Sequence, residues 1–585
     1  MNCKLRVLNV GKLGGISWLP LYLLIIWFGF LSHLYLPNMG GSGLKLPQNI
    51  ITWAVIAALV STIWLTFPSD KAVRLTTASR LIFVSIAILG IPLFFTSPQW
   101  QDVARLRWLG LLGGGGFYVS CLQLSTRCFY RFSLYYILLI AIVFQALIAL
   151  LQFTIPEAVP AWLAYPQSWG RPYGVFQQVN VLASFIATGL ALAIMLLLLP
   201  GFILDNIKRE RLRLCALGLI LLIFPALLVW LQSRVGWLGG AISGVLLLII
   251  GAKAAPKKNL IAAGLMGAGI VLAIAVQLNG FITDIAHIDS NSARISILKT
   301  TLSMIAERPW MGWGYGSFEY NFQHYRLTQG LSTLGTGVVR HPHNEILLWC
   351  VEGGVIAYIG LSLLVYVGGN MVWRAWRPTR QLNEYQTGLN RGLSCALLPI
   401  LLHTQTEFPF SLSTAHWAIF ILLLAKLDSD ITPTARYYSL SAATTAFLRK
   451  VLPVFSITIL LLAGIALYAN LSLTSLERNR FLDAEPARRA MAFDPGVNTE
   501  RWHYDQQIHA LLMFNQTRDP ALLEGYVRWA DSYLSRRIDK NVYASWLSIA
   551  HYQQDAITYQ RLRREAHALF PEDERFMVHL QEGIK

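Results

Sequence analysis

The strongest constraint on this fold is a succession of apolar stretches, each close to the ~20 residues that a helix needs to cross a bilayer. There are about thirteen of them, at 16–36, 50–67, 81–97, 108–124, 134–156, 175–199, 212–232, 235–251, 259–278, 344–371, 393–409, 412–428 and 451–472. Segments of this length form helices, because a backbone in lipid must satisfy its own hydrogen bonds. Only 14% of the residues are charged, whereas soluble domains carry about 25%. The sequence therefore predicts an all-α polytopic membrane protein.

The basic residues predict how the chain is oriented. The net charge is +17, but the lysines and arginines fall in seven short clusters that occupy alternate loops between the apolar stretches. Since an excess of basic residues marks cytoplasmic loops, this side is expected to be the cytoplasm. The clusters contain, in chain order, Lys4, Lys71, Arg127, Lys208, Lys253, Arg374 and Lys426. Arg105 and Arg107 are exceptions on the opposite side. The pattern predicts a bacterial inner-membrane protein and argues against nucleic-acid binding.

Four segments follow from this topology. They are an N-terminal membrane domain of about nine spans at 1–278, a large periplasmic loop at 279–343, further membrane helices at 344–472 and a charged periplasmic helical domain at 473–585. In the last segment, two alanine-rich stretches, 486–495 and 564–572, close with Pro495 and Pro571 and resemble the second helix of a tetratricopeptide unit. A tetratricopeptide-like module and a plain helical domain both stay open. Either one is expected to bind peptide segments or partners rather than to do chemistry.

The most reactive side chains stand at the end of the large loop, in the run Arg340-His341-Pro342-His343-Asn344-Glu345. A histidine titrates near neutral pH, so either of the two can accept a proton under working conditions. The alternative is that this cluster merely marks the boundary between membrane and water. We therefore treat His341 and His343 as candidate bases, with Asn344 and Glu345 beside them.

Two arginines are expected on the same side as the histidines. Arg234 lies between two apolar stretches, where it acts either as a snorkelling cation or as a fixed charge that faces the large loop. Arg294 lies in an amphipathic stretch that is predicted to form a helix ending at Pro309. The glycines at 312, 314 and 316 then allow close backbone approach, but no strand precedes them, so they do not form a dinucleotide-binding fingerprint.

Two further polar segments interrupt the apolar pattern. The first holds Arg171, Gln178 and Asn180 where a helix enters the membrane, which indicates either a polar cavity or hydrogen bonds between helices. The second is 403–410, where Glu407 either pairs with an arginine or ends a helix. The six cysteines contain no Cys-x-x-Cys pair, so we expect neither disulfides nor a metal centre.

Together these residues suit one kind of reaction. The planar guanidinium group binds phosphate oxygens with two hydrogen bonds and stays charged at all working pH values. Arginines beside a histidine base suit a phosphorylated lipid donor and a hydroxyl acceptor, with the arginines holding the leaving pyrophosphate. No acidic metal-binding cluster such as Asp-x-Asp is evident, so we expect a metal-independent reaction without a cofactor.

The order of these motifs resembles the O-antigen ligase and polymerase superfamily. Two segments, 174–180 and 403–410, resemble its branch of bacterial protein O-oligosaccharyltransferases, and the length and C-terminal domain fit that branch. The resemblance covers about residues 165–430. The motifs that carry it are Ser233-Arg234, Arg294, Pro309-x-x-Gly312-x-Gly314-x-Gly316-x-Phe318, His341-x-His343-Asn344-Glu345 and Glu352-Gly353-Gly354.

The resemblance implies a GT-C-like glycosyltransferase that moves a glycan en bloc from undecaprenyl pyrophosphate to Ser or Thr of a periplasmic protein or pilin. It implies that His343 is the base and that Arg234 and Arg294 neutralise the pyrophosphate, while His341 stays an alternative base. Donor or acceptor binding is a weaker expectation, which applies to Arg171, Gln178, Asn180, His341, Asn344, Glu345 and Glu407.

Other functions stay open. A lipopolysaccharide O-antigen ligase or an O-antigen polymerase would use the same chemistry with a sugar acceptor. A polysaccharide or lipid transporter could also hold arginines, but it would be expected to show inverted repeats and polar residues at the membrane midplane. Neither feature is seen in the sequence.

Overall fold

The computed structural model describes residues 18–68, 70–124, 128–160, 163–164, 170–280, 282, 288–377, 384–433 and 437–577. Lys4 and Arg127 of the basic clusters lie outside these ranges, as do the first two residues of the stretch at 16–36. In the described ranges the only strands are β1 (Arg74–Leu75) and β2 (Tyr438–Ser439), which pair antiparallel. The rest of the regular structure is helical, so the prediction of an all-α polytopic membrane protein is confirmed.

The helices are, in chain order, α1 (Leu19–Gly29), α2 (Pro47–Leu65), α3 (Thr77–Gly90), α4 (Gln101–Leu122), α5 (Cys128–Thr154), α6 (Val179–Leu198), α7 (Ile207–Leu231), α8 (Arg234–Ala254), α9 (Pro256–Leu278), α10 (Ile288–Glu307), α11 (Phe318–Thr328), α12 (Glu345–Trp376), α13 (Glu384–His403), α14 (Pro409–Leu412), α15 (Thr414–Ile431), α16 (Ala442–Arg478), α17 (Glu485–Met491), α18 (Thr499–Thr517), α19 (Pro520–Leu534), α20 (Lys540–Tyr552) and α21 (Ala556–Leu569). Every predicted apolar stretch overlaps one of them.

Nine helices among the described residues are long and apolar enough to cross a membrane. They are α2, α3 with the short turn after it, α5 to α9, α12 and α16. Four others that coincide with predicted stretches, namely α1, α4, α13 and α15, do not reach the length or hydropathy of a span by themselves.

Several helix ends differ from the predicted boundaries, and two of these differences have a cause that the contacts show. The stretch at 175–199 begins with an irregular segment, and α6 starts only at Val179, because the side chain of Gln178 accepts a hydrogen bond from the backbone N–H of Asn180 and caps the helix. The stretch at 451–472 continues as α16 to Arg478. Leu473 and Leu476 prolong it, since they are buried against Trp502 of α18.

The chain forms two compact units. The first contains Met1–Phe83, Leu112–Ile285 and Leu363–Leu471. Its centre is α6, which is buried on all sides and packs against α5, α7, α8 and α13. Glycines of α8 allow this close packing: a Cβ on Gly236 would lie 2.7 Å from the Cβ of Ala183, and one on Gly239 would lie 2.9 Å from the Cα of Pro399.

The second unit contains Val84–Leu111, Ala286–Ser362 and Ser472–Lys585. Helices α10 and α11 share a small core with the start of α12, which includes Met304, Phe322 and Val351. Helices α18 to α21 enclose a second core that includes Tyr526, Trp546 and Leu562. In this helical region α18 packs on α19 and α20 packs on α21, as expected for stacked helical hairpins.

Candidate functional site

The two histidines of the second unit form a tight turn immediately before α12. The backbone N–H of His343 donates a hydrogen bond of 3.2 Å to Nδ1 of His341, and the ring centroids are 4.5 Å apart. His343 has a φ of 53°, a left-handed conformation that is uncommon for residues other than glycine. Such backbone conformations persist where the surroundings enforce them, and they cluster at functional sites.

The two histidines differ in chemical character. Burial, together with the charges of His343, Arg294 and Arg340, lowers the pKa of His341 to about 2. His341 is therefore neutral at working pH, and because its Nδ1 accepts a hydrogen bond, the proton of the neutral ring lies on Nε2. Such a ring is a poor proton acceptor. Among these two histidines, His343 is the better candidate base.

Helix α12 begins directly after the two histidines. The side-chain oxygen of Asn344 accepts a hydrogen bond of 3.0 Å from the backbone N–H of Leu347, as an N-cap residue does. Glu345 lies in the first turn, where a negative charge is favourable. These contacts set the start of α12 and thereby the position of His343. Binding of substrate by Asn344 and Glu345 stays a prediction.

A glycine-rich turn docks onto a break in α12. The helix is interrupted at Gly354, which has a φ of 59° and a ψ of −151°. The backbone N–H groups of Trp313 and Gly314 donate to the carbonyls of Val351 and Glu352 over 3.0 and 2.8 Å. In return the N–H of Val355 donates to the carbonyl of Pro309 over 2.8 Å. The glycines of the sequence motif therefore serve a backbone-to-backbone contact.

Glu352 supports the same region and was not among the predicted site residues. Its Oε1 accepts a hydrogen bond of 3.0 Å from the backbone N–H of Phe318, the first residue of α11, and its Oε2 pairs with Arg107. The Glu352 side chain is almost fully buried. A carboxylate inside an apolar stretch needs a partner, and Arg107, an exception to the basic-cluster pattern, is that partner. The sequence signals for this ion pair were therefore the carboxylate inside an apolar stretch and the arginine on the side that is otherwise poor in basic clusters.

Arg294 belongs to the same unit as the histidines. It lies half-buried on α10, and its positive charge is among those that lower the pKa of His341. Arg326 of α11 holds α10 in place by donating to Ser296 and Thr300 over 2.8 and 3.1 Å. The structure therefore places Arg294 near His341, and its role at the site stays a prediction.

The second group of candidates lies in the first unit, around the irregular segment that precedes α6. Gln145 and Gln152 of α5 hold this segment: the N–H of Gly174 donates to Gln152 over 2.9 Å, and the N–H of Val175 donates to Gln145 over 3.3 Å. Of the two readings of this polar segment, the contacts favour hydrogen bonds between elements. Neither of these glutamines was a predicted site residue.

Arg171 and Asn180 meet the connection between α7 and α8. Arg171 donates to the carbonyls of Leu231 and Gln232 over 3.4 and 3.2 Å. The hydroxyl of Ser233 donates to the side chain of Asn180 over 2.8 Å and also caps α8. Arg234 is the next residue, and its side chain is exposed. The structure thus brings Arg171, Asn180 and Arg234 to one place.

Glu407 lies in the turn that follows α13, which ends at His403, in the same unit. It is buried, and its backbone N–H donates to the carbonyl of His403 over 3.0 Å. His403 is linked through the hydroxyl of Ser184 to His416, at 2.8 and 3.3 Å. This buried chain of polar side chains joins α6, α13 and α15. Ser184 gave no signal in the sequence, because a single serine in an apolar helix is ordinary.

The expectation that the chain lacks an acidic Asp-x-Asp cluster is wrong, because Asp428-Ser429-Asp430 at the end of α15 has this spacing. Its carboxylates, however, already have partners within the protein. Asp428 accepts hydrogen bonds from Thr76, Tyr118 and Thr432 over 2.5, 2.8 and 3.1 Å. Asp430 pairs with Lys426 over 2.5 Å. The pair therefore serves as a structural anchor.

Three family models match the chain. Residues 217–362 match a model described as O-antigen ligase. Residues 393–583 match the C-terminal part of a virulence factor membrane-bound polymerase, and residues 172–198 match a protein glycosylation ligase. The first match contains both histidines of the turn, Arg294 and Arg234. A comparison with curated protein sequences gives no match.

Proposed function

Because the chain belongs to the superfamily of O-antigen ligases and protein glycosylation ligases, we propose that it is an O-oligosaccharyltransferase of the bacterial inner membrane. Its donor would be a glycan linked to undecaprenyl pyrophosphate, and its acceptor a Ser or Thr hydroxyl of a periplasmic protein or pilin. The observation that carries this proposal is the turn in which His341 is kept neutral and His343 is held just before α12.

His343 acts as the general base in the proposed reaction. It takes the proton of the acceptor hydroxyl as the hydroxyl oxygen bonds to the anomeric carbon of the first sugar. The bond between that carbon and the pyrophosphate oxygen breaks, so undecaprenyl pyrophosphate leaves with the electron pair. The low pKa of His341 supports the choice of His343 as base.

The leaving pyrophosphate requires positive charge. Arg294, close enough to His341 to lower its pKa, supplies part of it in this scheme, and Arg234 supplies more. Guanidinium groups stay charged and match phosphate oxygens in geometry. Arg171, Gln178, Asn180 and Glu407 are assigned to donor or acceptor binding. The reaction is then metal-independent, with a GT-C-like membrane domain as its frame.

The orientation rests on the basic clusters. They support a periplasmic position for the turn of His341 and His343 and for helices α17 to α21. The match of residues 172–198 to a protein glycosylation ligase supports a protein acceptor. The second candidate is an O-antigen ligase or polymerase with a sugar acceptor, which the other two matches favour.

Reconstitution separates these functions. The full-length protein in proteoliposomes would receive a lipid-linked glycan and either purified pilin or lipid A-core. We expect pilin to gain the mass of the glycan, read by intact mass spectrometry. Modification of lipid A-core alone would favour the ligase, and elongation of the lipid-linked glycan would favour the polymerase.

Two variants test the role of His343 in the same assay. His343→Ala should lose at least about 100-fold in rate, the usual contribution of a general base. His324→Ala is the matched control, because His324 stacks on Tyr320 of its own helix and has no assigned role. If His343→Ala transferred glycan at the wild-type rate while keeping the wild-type melting temperature, the base would have to be another group.

A further inference from the structure

Helix α10 carries an exposed apolar stripe that the proposed reaction does not use. The stripe consists of Ile295, Leu298 and Leu302, with exposed fractions of 54%, 42% and 49%. Residues three and four apart share one face of a helix, so these side chains form one continuous surface. Trp310 and Met311, which follow α10 in the chain, are 73% and 59% exposed.

The opposite face of α10 is already occupied. Ile297 and Met304 are buried in the core that α10 shares with α11 and α12. The exposed stripe is therefore not part of the packing of its own unit. Exposed apolar surfaces of this kind mark contacts with a protein partner or with a membrane.

The position of the glycine-rich turn favours a membrane over a protein partner as the surface that the stripe contacts. The hydrogen bond between Pro309 and Val355 holds Trp310 beside residues 351–355 of α12. At a rise of 1.5 Å per residue, these residues lie about 9 to 15 Å along the helix from Glu345. Helix α12 is long and apolar enough to span the membrane. Trp310 and Met311 thus lie alongside a spanning helix, beyond its first turns.

The side chains of α12 indicate where its lipid-facing part begins. Residues 348–354 are buried, whereas Tyr358 and Ile359 are 59% and 52% exposed. Tyr358 is three residues beyond Val355, about 4.5 Å along the axis. Tyrosine and tryptophan are enriched at the interface between membrane and water. Trp310 therefore stands at the level at which α12 enters the lipid.

Basic residues accompany the stripe. Lys299 is exposed on α10, and exposed Arg308 lies over the ring of Trp313, with its guanidinium carbon 4.0 Å from the ring centroid. An apolar stripe with lysine and arginine at its margins is the pattern of a helix that lies in the headgroup layer. Cations there are attracted to anionic phospholipids.

We propose that Trp310, Met311 and the α10 stripe insert into the headgroup layer of the adjacent leaflet and anchor the loop of the second unit to the lipid surface. The anchor sets the depth of the loop that ends at His341 and His343. If the proposed function is right, this depth matches that of the pyrophosphate of a lipid-linked donor. The anchoring itself does not depend on the function.

Spin labelling in lipid nanodiscs tests the anchor. The variants Leu298→Cys, Leu302→Cys, Trp310→Cys and Met311→Cys would each carry a nitroxide, in a full-length background whose native cysteines are replaced and whose melting temperature is unchanged. Ile557 is the matched control, since it is an apolar residue of the same unit that is 85% exposed, on α21. We expect labels on the anchor to collide several-fold more with oxygen than with a water-soluble nickel chelate. The label at 557 should show the reverse.

If the labels at 302 and 310 met the nickel chelate as readily as the label at 557, the surface would face water and the proposal would be overturned.

Kinetic measurements on two variants, Trp310→Glu and the conservative Trp310→Phe, test the effect of the anchor on the reaction. For a long-chain donor in a bilayer, Trp310→Glu should raise KM several-fold with little change in kcat, and Trp310→Phe should resemble wild type. Equal KM values for the two variants would contradict the claim that the anchor sets the depth of the loop relative to the donor. Failure of wild type to transfer glycan would reject the proposed function and leave the spin-label result unaffected.

Discussion

Gly312 and Gly354 lie directly against each other's backbone. A Cβ on Gly312 would lie 2.6 Å from the backbone nitrogen of Gly354, and one on Gly354 would lie 2.7 Å from the nitrogen of Gly312. Both residues have a positive φ, of 68° and 59°. This reciprocal contact joins the glycine-rich turn to the break in α12, and it constrains the helix that follows the two histidines.

Alanine at either glycine should therefore disrupt the second unit. Gly312→Ala and Gly354→Ala each add a clash with backbone atoms to the strain of a positive φ, so we expect the melting temperature to fall by many degrees or expression to fail. Gly330→Ala is the control, because Gly330 also has a positive φ, of 67°, but nothing within 4 Å of its missing Cβ. It should cost only the strain of the positive φ, about 1 to 2 kcal/mol. Equal losses for all three would refute the role of the contact.

The hydrogen bond between His341 and His343 predicts how variants of His341 should rank in their rate of glycan transfer. Asparagine at 341 can offer its side-chain oxygen to the N–H two residues on, so His341→Asn should retain most of the transfer rate. His341→Leu removes the acceptor and should lower kcat about 10-fold or more, since small displacements of a catalytic group are costly. Initial rates in proteoliposomes give the comparison. If His341→Asn lost as much as His343→Ala, His341 itself would be the base.

The buried contacts of Glu352 predict a large effect on stability. Glu352→Ala leaves Arg107 without its partner and the N–H of Phe318 without an acceptor, which should cost about 2 to 4 kcal/mol. Glu352→Gln keeps an acceptor and should cost less. Thermal unfolding in detergent measures both. Glu524→Gln is the control, because its pair with Arg528 is exposed and should contribute no more than about 0.5 kcal/mol.

The buried carboxyl group of Asp505 is expected to make the stability of the protein depend on pH. Burial, followed by the charge of nearby Glu477, raises the pKa of Asp505 to about 8. Between about pH 4 and pH 8 the folded state then holds a proton that the unfolded state has released. The contribution of Asp505 to stability is therefore greatest at low pH and falls, by up to about 1.4 kcal/mol per pH unit, as the pH rises through this window.

Asp505→Asn should remove that dependence, since an amide is neutral throughout. Melting temperatures at pH 5, 6, 7 and 8 should decline less for the variant than for wild type, and the variant should be the more stable at pH 8. Parallel curves for the two proteins would show that Asp505 does not retain a proton in the folded state.

Removal of metal ions should leave the reaction unchanged. In the proposed scheme guanidinium groups neutralise the pyrophosphate, so treatment with a chelator is expected to preserve the rate of glycan transfer to pilin. A loss that added Mg²⁺ or Mn²⁺ restored would show instead that a cation takes part.

Much of the helical structure could be predicted from short stretches of the sequence. Each apolar stretch overlaps a helix, and α10 ends at Glu307, just before Pro309, as its sequence pattern indicated. Helix ends were less predictable, because they depend on particular contacts. Gln178 caps α6 inside an apolar stretch, and α16 continues past its stretch to pack near Trp502. The candidate residues Arg171, Asn180, His341 and His343 were predicted from charge, polarity and resemblance, but their partners were not.

The sequence by itself determined that this is a helical membrane protein with a polar, histidine-containing turn before a spanning helix, because hydropathy and helix signals act over a few residues. Only the tertiary structure decided that His341 is kept neutral, that Glu352 holds Arg107 and α11, and that Gly312 lies against Gly354. These relationships join residues that are distant in the chain or depend on burial. Their energies come from the exclusion of water and the close approach of backbones, which local sequence patterns do not report.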